Sequence, residues 1–212
     1  MFELDLPLEV SDIMQLHAGD GVLLSGVIVT ARDTAHRWMF DTFIRKTREP
    51  SDDDIEVYEK LKPLLEEGAV YHCGPVVDEL KNGEYRITAA GPTTSIREEP
   101  YQADVMRHFN LRAVIGKGGM GARTLDVCRE LPAVYLHAVG GAAALIAKSI
   151  RRVAAVYKLD FGVPEAMWVI EVAGFPAVVT MDAHGTSMHD LVRNESGGKL
   201  QSLLKARREE IG

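Results

Sequence analysis

Apolar and polar positions fall into blocks whose lengths and spacings select elements. "GVLLSGVIVTA" (21–31) is apolar and rich in β-branched residues, which predicts a largely buried strand. "AVYHCGPVV" (69–77) predicts a strand interrupted by its Gly-Pro pair, and "YRITAA" (85–90) a strand after the turn "KNGE". Helical spacing covers 32–49, with Trp38, Phe40, Phe43 and Ile44 on the apolar side and Pro50 at the end. Ser51 caps a second helix over 51–68, and Asp52, Asp53 and Asp54 suit its N-terminus. Pro63 predicts a kink or a break there. Shorter helices are expected after a Ser11 cap, closing at Gly19, and over about 100–109.

From residue 111 a rhythm sets in. Strand, glycine loop and helix follow one another as "LRAVI", "GKGGMG" and "ARTLDVCREL", then again as "AVYLHAV", "GG" and "AAALIAKSI". That repetition predicts an α/β unit with neighbouring parallel strands. "MWVIEV" and "FPAVVTMDA" predict two further strands. The tail after Asp190 is polar, interrupted at Gly197 and Gly198, and then helical. One domain over 1–190 with a polar helical tail over 191–212 is the expected organisation.

Composition narrows the chemistry. Of 212 residues, 46% are apolar, so a sizeable core is available. A net charge of -7 argues against nucleic acid as a partner, since phosphate-backbone binding needs clustered Lys and Arg. No apolar run reaches the roughly 18 residues of a membrane span, and the start lacks the pattern of a signal peptide. Two cysteines, Cys73 and Cys128, lie in unrelated contexts, which fits a reducing cytoplasm better than a disulfide scaffold. Two thiols cannot hold an iron-sulfur cluster alone, so any cluster must be anchored mainly by another chain.

Three strand ends carry candidate chemistry. Arg32, in "TARDTAHR", either forks onto a carboxylate or pairs with an acidic neighbour at the surface. Thr93, Thr94, Ser95 and Arg97 follow the Gly91-Pro92 break, as a helix cap with a solvent arginine or as an anion-holding loop with a proton-transfer group. A threonine hydroxyl transfers protons only when another group activates it. "GKGGMG" formally matches a dinucleotide fingerprint, but the strand that follows ends without an acidic residue for a ribose. Backbone amides at a helix N-terminus plus Lys117 then make a better anion site, and a plain packing turn is the alternative. His72, His137 and His184 show no metal-ligand spacing, and Asp182 and His184 read as structural.

The order of "LSGVIVTARDTAH", "YHCGPVV", "AGPTTSIR", "IGKGGMG", "VGGAAAL", "PEAMWVIEV" and "FPAVVTMDAHG" resembles the β subunit of class I, iron-sulfur fumarate hydratase and its relative L-tartrate dehydratase, over about 5–190. In single-chain members this is the C-terminal domain. The resemblance implies a swivelling β/β/α three-layer α/β domain with a partly parallel sheet. It implies an α subunit in an α2β2 assembly, whose three cysteines carry a [4Fe-4S] cluster, and a dicarboxylate substrate. By the family's motifs Thr93 is the base at substrate C3, activated by an aspartate from the cluster-bearing side. Arg32, Arg97 and Lys117 are the substrate-binding residues. A hydro-lyase interconverting fumarate and malate is the leading expectation, tartrate dehydration the second, and a nucleotide-binding module or a non-catalytic subunit the rivals. Ile96 is larger than its counterpart in many fumarases, and 39–68 is longer than the family norm, as an added helix serving as lid or interface.

Overall fold

A computed structural model describes residues 1–211, with side chains for all of these except 205, 206 and 208–211. The strands are β1 (Phe2–Asp5), β2 (Gly21–Thr30), β3 (Ala69–Tyr71), β4 (Val76–Glu79), β5 (Tyr85–Ala89), β6 (Ala113–Gly116), β7 (Val134–His137), β8 (Ile150–Tyr157) and β9 (Met167–Met181). The helices are α1 (Val10–Met14), α2 (Asp33–Met39), α3 (Asp52–Leu65), α4 (Glu99–Phe109), α5 (Ala122–Glu130), α6 (Ala143–Ala147) and α7 (Met188–Ile211). A π-helical turn (Phe40–Ile44) extends α2, and a 3-10 turn (Ser95–Glu98) precedes α4.

β2, β3, β6 and β7 are parallel neighbours. β9 runs antiparallel to β2 along nearly all of β2, and its far end pairs with β7, so the pairings β2–β3–β6–β7–β9 close into a ring. Side chains alternate between two cores. Ala69, Tyr71, Ala113, Ile115, Val134 and Leu136 face inward against Trp168, Ile170 and Phe175 of β9 and its bend. Val70, Val114 and Tyr135 face outward against α2–α5. Strands covered on both faces read as near-continuous apolar runs, as these do. The result is three layers, antiparallel strands, parallel strands and helices, and the expected β/β/α architecture is present.

Several expectations are corrected. Glu9, not Ser11, stands at the N-cap of α1, in a reciprocal box with Asp12, and the helix ends at Met14. The helix expected over 32–49 stops at Ile44, widened into the π turn that brings Phe43 onto Tyr58, ring centroids 4.3 Å apart. Pro63 does not break α3, which continues through it to Leu65 in its last turn. The two strands expected at 167–183 are one, β9, which bends through Ala173 and Gly174. β8 takes the place of the end of the helix expected over 142–150 and of unassigned chain beyond it. α7 runs through Gly197 and Gly198 without interruption. Residue 212 lies outside the described residues.

The stretch 39–68 is packed on this domain's own sheet, with Val57, Leu61 and Leu65 buried beside Trp38 and Met39. Its anchor is the Asp54 carboxylate. Trp38 Nε1 donates to it at 2.8 Å, Arg48 Nη2 at 3.1 Å and the Ser51 N–H at 3.0 Å, while Lys158 Nζ lies 2.7 Å away. Burial alone would raise the Asp54 pKa; the Lys158 ammonium and the Ser51 and Trp38 donors outweigh it and hold the group well below the usual carboxylate range. Removing one partner of a buried pair leaves the other charge uncompensated. Asp54→Ala should therefore lose on the order of 3 kcal/mol of unfolding free energy. Chemical denaturation of the full chain checks this, and a loss below about 1 kcal/mol would reduce the carboxylate to a surface pair. The depressed pKa gives the pH sign. The contribution is complete above about pH 4, the unfolded Asp value, and is lost as pH falls through the lower folded value.

Candidate functional site

The site is built where the parallel strands end. His72, Cys73 and Gly74 follow β3, Lys117 follows Gly116 at the end of β6, and Gly140 lies beyond the end of β7. In open parallel sheets these carboxyl ends are where ligands bind. The Gly91–Ser95 loop is stapled across them. Thr93 N–H donates to the His72 carbonyl at 2.7 Å, the Lys117 N–H to the Thr93 carbonyl at 3.3 Å, and the Ser95 N–H to the Lys117 carbonyl at 3.0 Å. Single bridges pair Cys73 with Pro92 and Thr94 with Lys117. The loop is in effect a two-residue extension of the sheet.

None of the three hydroxyls caps a helix. Thr94 occupies the N-cap of the 3-10 turn but makes no side-chain cap bond. Ser95 is fully buried, bonded to His72 Nδ1 at 2.8 Å and accepting from Tyr135 Oη at 2.9 Å. Thr93 Oγ1 donates to the His72 carbonyl at 3.1 Å and is partly open to solvent. Gly116 makes room for this, since a Cβ there would stand 1.8 Å from Ser95 Oγ.

The three expected cationic groups differ in setting. Arg32 is largely sheltered, 3.2 Å from Glu165 and donating to the Pro164 carbonyl at 3.3 Å, while its buried Nε has no partner. Arg97 is half-exposed, with Nε 3.7 Å from Asp33 Oδ2. Lys117 makes no ion pair or side-chain hydrogen bond among the described residues, and its stem passes beside Gly140. Backbone bonds join Thr93 to Lys117, and Asp33 lies within the fields of both Arg32 and Arg97.

The anion site expected at the glycine loop is corrected. The N-terminus of α5 is filled by the chain's own Glu99, which accepts from the Gly121 N–H at 2.8 Å, the Thr124 N–H at 3.3 Å and Thr124 Oγ1 at 2.7 Å. Gly119, at φ +79°, is roofed by His189, whose ring a Cβ would meet at 2.4 Å. A pyrophosphate needs these amides and this approach, and both are taken. Lys117 remains as the loop's cationic contribution.

Sequence reasoning missed the buried polar frame behind the loop. His36 and His72 are fully buried and both face the Gln102 amide, at 3.0 and 2.8 Å. Burial lowers both imidazole pKa values, that of His72 well below its ordinary range, with His36 beside it adding to the effect. His36 Nδ1 faces the Arg32 carbonyl at 3.0 Å and can only donate to it. Both Nε2 atoms face Gln102 Oε1 while its NH2 has no partner; turning the amide end for end would give a neutral His36 a donor at its bare Nε2. Beside this frame lie Asp33 and the fully buried Glu98. Glu98 and Gln102 are four residues apart on one helical side, a spacing visible in the sequence.

Both cysteines are free and buried, and burial pushes each thiol up to about 12, so neither presents a thiolate. Among the described residues no group of three or more His, Cys, Asp and Glu is arranged to hold a metal ion, and no helix is long and apolar enough to cross a membrane. Asp182 is structural, accepting from the Ala18, His184 and Thr186 N–H groups.

Comparison with known proteins places this geometry. A protein from Geobacillus stearothermophilus with the provisional name fumarate hydratase class I is 44% identical over 197 residues, covering 93% of this chain and 35% of the relative. The chain thus spans about a third of that protein. A Methanocaldococcus jannaschii protein with the provisional name L(+)-tartrate dehydratase subunit beta is 38% identical over 195 residues, 91% of this chain and 93% of the relative. The L(+)-tartrate dehydratase subunit beta of Escherichia coli K12 is 31% identical over 187 residues, 87% and 85% of the two chains. The family model described as fumarase C-terminus matches residues 2–192, and the chain belongs to that family.

Proposed function

We propose that the chain is the β subunit of an iron-sulfur hydro-lyase that interconverts fumarate and malate, acting with a cytoplasmic α subunit that holds a [4Fe-4S] cluster. The observation that carries this reading is the Thr93 loop, a hydroxyl fixed between the ends of β3 and β6 in a chain of the fumarase C-terminus family. The residues of this chain do not suit the cluster itself, since its two thiols are buried and protonated. When bound to the partner, the cluster would supply a Lewis-acid iron for the departing hydroxyl.

This chain's part is to hold the dicarboxylate and accept a proton. Thr93 Oγ1 would take the proton from substrate C3. Its own hydrogen points at the His72 carbonyl, which leaves its lone pairs toward the open side. A carbonyl cannot accept that hydrogen as a proton, and no imidazole or carboxylate of the described residues bonds Thr93. The group that makes Thr93 a base is therefore assigned to the α subunit. Arg32, Arg97 and Lys117 would offset the dianion and the charge that builds on its far carboxylate. Tartrate dehydration is the second reading, favoured by the two relatives of matching length, both named as beta subunits of that enzyme. Ile96, half-exposed between Ser95 and Arg97, would be the side chain that reshapes the pocket for another hydroxy diacid.

Anaerobic co-expression with a cluster-bearing α chain, followed by assays with malate, fumarate and both tartrate isomers, tests the reading. Absence of turnover on all four, with a loaded cluster, would overturn it. In that complex Thr93→Ala should lower kcat by about 10²-fold or more with little change in substrate affinity, and Thr93→Ser should keep more activity than alanine. A normal kcat in the alanine variant would remove Thr93 from the chemistry. Arg97→Lys keeps the charge but loses the fork onto a carboxylate. It should reduce kcat/KM by roughly 30-fold or more, the equivalent of 2 kcal/mol or above. Steady-state kinetics giving near-equal values would exclude Arg97 as a substrate ligand.

A further inference from the structure

Two carboxyl groups beside the site have a proton to account for. Asp33 opens α2, and Glu98 ends the 3-10 turn that carries Arg97. Glu98 is fully buried. Asp33 is divided: Oδ2 faces out, 3.7 Å from Arg97 Nε, while Oδ1 is shielded from water. Three oxygens, Asp33 Oδ1 and both of Glu98, have no N–H or hydroxyl partner. The two carboxyl groups nevertheless lie within hydrogen-bonding range of each other. Two ionised carboxylates in such contact, without a donor between them, repel at close range in a poorly solvated place. One shared proton removes the repulsion and gives Asp33 Oδ1 and the protonated Glu98 oxygen their missing partner.

We propose that Asp33 and Glu98 share one proton at neutral pH, with Glu98 as the neutral donor, and that this pair fixes the guanidinium of Arg97. Asp33 is the ionised member because it is half-exposed and lies within the fields of both arginines, whereas Glu98, which Arg97 also reaches, is fully buried. The Glu98 hydrogen bond, foremost, and the Arg97 and Arg32 charges outweigh burial and hold Asp33 below the usual range. Burial first, then the Asp33 charge, push Glu98 up to about 9. The groups facing the pair are Arg32 and His36 from α2, Arg97 from the 3-10 turn and Tyr135 from β7. With the proton in place, Asp33 presents a single negative charge between two cations. Without it, a second buried charge pulls Arg97 inward, away from an incoming carboxylate. Glu98 is thus a positioning residue. Proton sharing stands independently of the hydro-lyase reading, and only the benefit to substrate binding rests on it.

The linkage sign sets the first test. The folded pKa of Glu98 is raised, so its stability contribution is complete below the unfolded value near 4.3 and is lost as pH rises toward about 9. Glu98→Gln keeps a neutral donor and removes this loss. In thermal melts of the full chain between pH 5 and 9.5, the variant's advantage should grow steadily with pH, by roughly 10 °C or more, and level off only above about pH 9. An advantage that does not change with pH overturns proton sharing. Should the variant not fold, infrared spectra of the wild-type chain decide: a protonated-carboxyl C=O band at pH 7 that bleaches near pH 9 is expected, and its absence overturns the proposal.

The positioning half is read from Arg97. Its 13Cζ resonance in the full chain should shift with the same alkaline midpoint in wild type and stay flat in Glu98→Gln. A resonance that ignores that midpoint overturns this half. In the assembled enzyme, KM should rise above about pH 9 in wild type only. If the assembled enzyme turns over none of the dicarboxylates, the hydro-lyase reading fails while the melts and spectra still decide the proton.

Discussion

Burial of β3, β6 and β7 on both faces is the constraint that places everything else. Val70, Val114 and Tyr135 are committed to the helical layer, and their neighbours on either side to the inner core. Polar chemistry is thereby pushed to the strand ends, where backbone groups run out of ladder partners. The Thr93 loop meets that need. Its amide and carbonyl take up groups of His72 and Lys117 that the strands leave open. Tyr135 carries the same logic inside the sheet. Its ring fills the helical core, while its hydroxyl reaches Ser95 beneath the loop. One residue type thus serves packing and site together, as a buried tyrosine must when its O–H requires a partner.

Charge is arranged around this frame rather than within it. The buried rings of His36 and His72 are neutral, because desolvation disfavours a second proton on either. The cations lie farther out, and two have an internal counter-ion, Glu165 for Arg32 and Asp33 for Arg97. Lys117 has none among the described residues. Under the proposed function such a site would attract a dianion, although the chain as a whole carries a charge of -7. Local arrangement, not net charge, decides the sign of the field at a cleft.

Much of this was legible in the sequence, for identifiable reasons. The parallel strands were visible because strands covered on both faces are continuous apolar runs. Ser51 was visible as a cap because its partner Asp54 lies at the matching spacing. β8 was not, because "IRRVAAVY" is an edge strand with both arginines exposed, and "AAALIAKSI" before it mimics a longer helix. The bend in β9 hid a single strand, since Ala173-Gly174 reads equally well as a turn. Thr93, Arg32, Arg97 and Lys117 stood out by motif; Arg32 follows β2, Thr93 and Lys117 meet beyond β3 and β6, and Arg97 lies in the 3-10 turn after the loop. Glu98 and Gln102 did not, because a carboxyl or amide on a short helix looks like a solvated face until tertiary packing buries it. Glu99 was similarly silent. Nothing local says that it reaches 22 residues onward to the amide of Gly121 and fills a helix N-terminus that would otherwise invite a phosphate.

The division of labour between this chain and a partner follows from what the loop already has. Thr93 is fixed by three hydrogen bonds from backbone and hydroxyl, and Ser95 is locked beneath it. An assembly that completes such a site need not fold the loop, since the ordering cost is met within this chain. On the proposed function, it would need to bring a base for Thr93 and an acceptor for the leaving hydroxyl. The Geobacillus relative, of which this chain matches 35%, shows that the same domain also occurs within a longer chain. A preformed loop explains how one domain serves both arrangements. Fused or separate, its contribution under the proposed function would be a rigid hydroxyl and a cationic rim, and neither depends on how the remainder of the site is delivered.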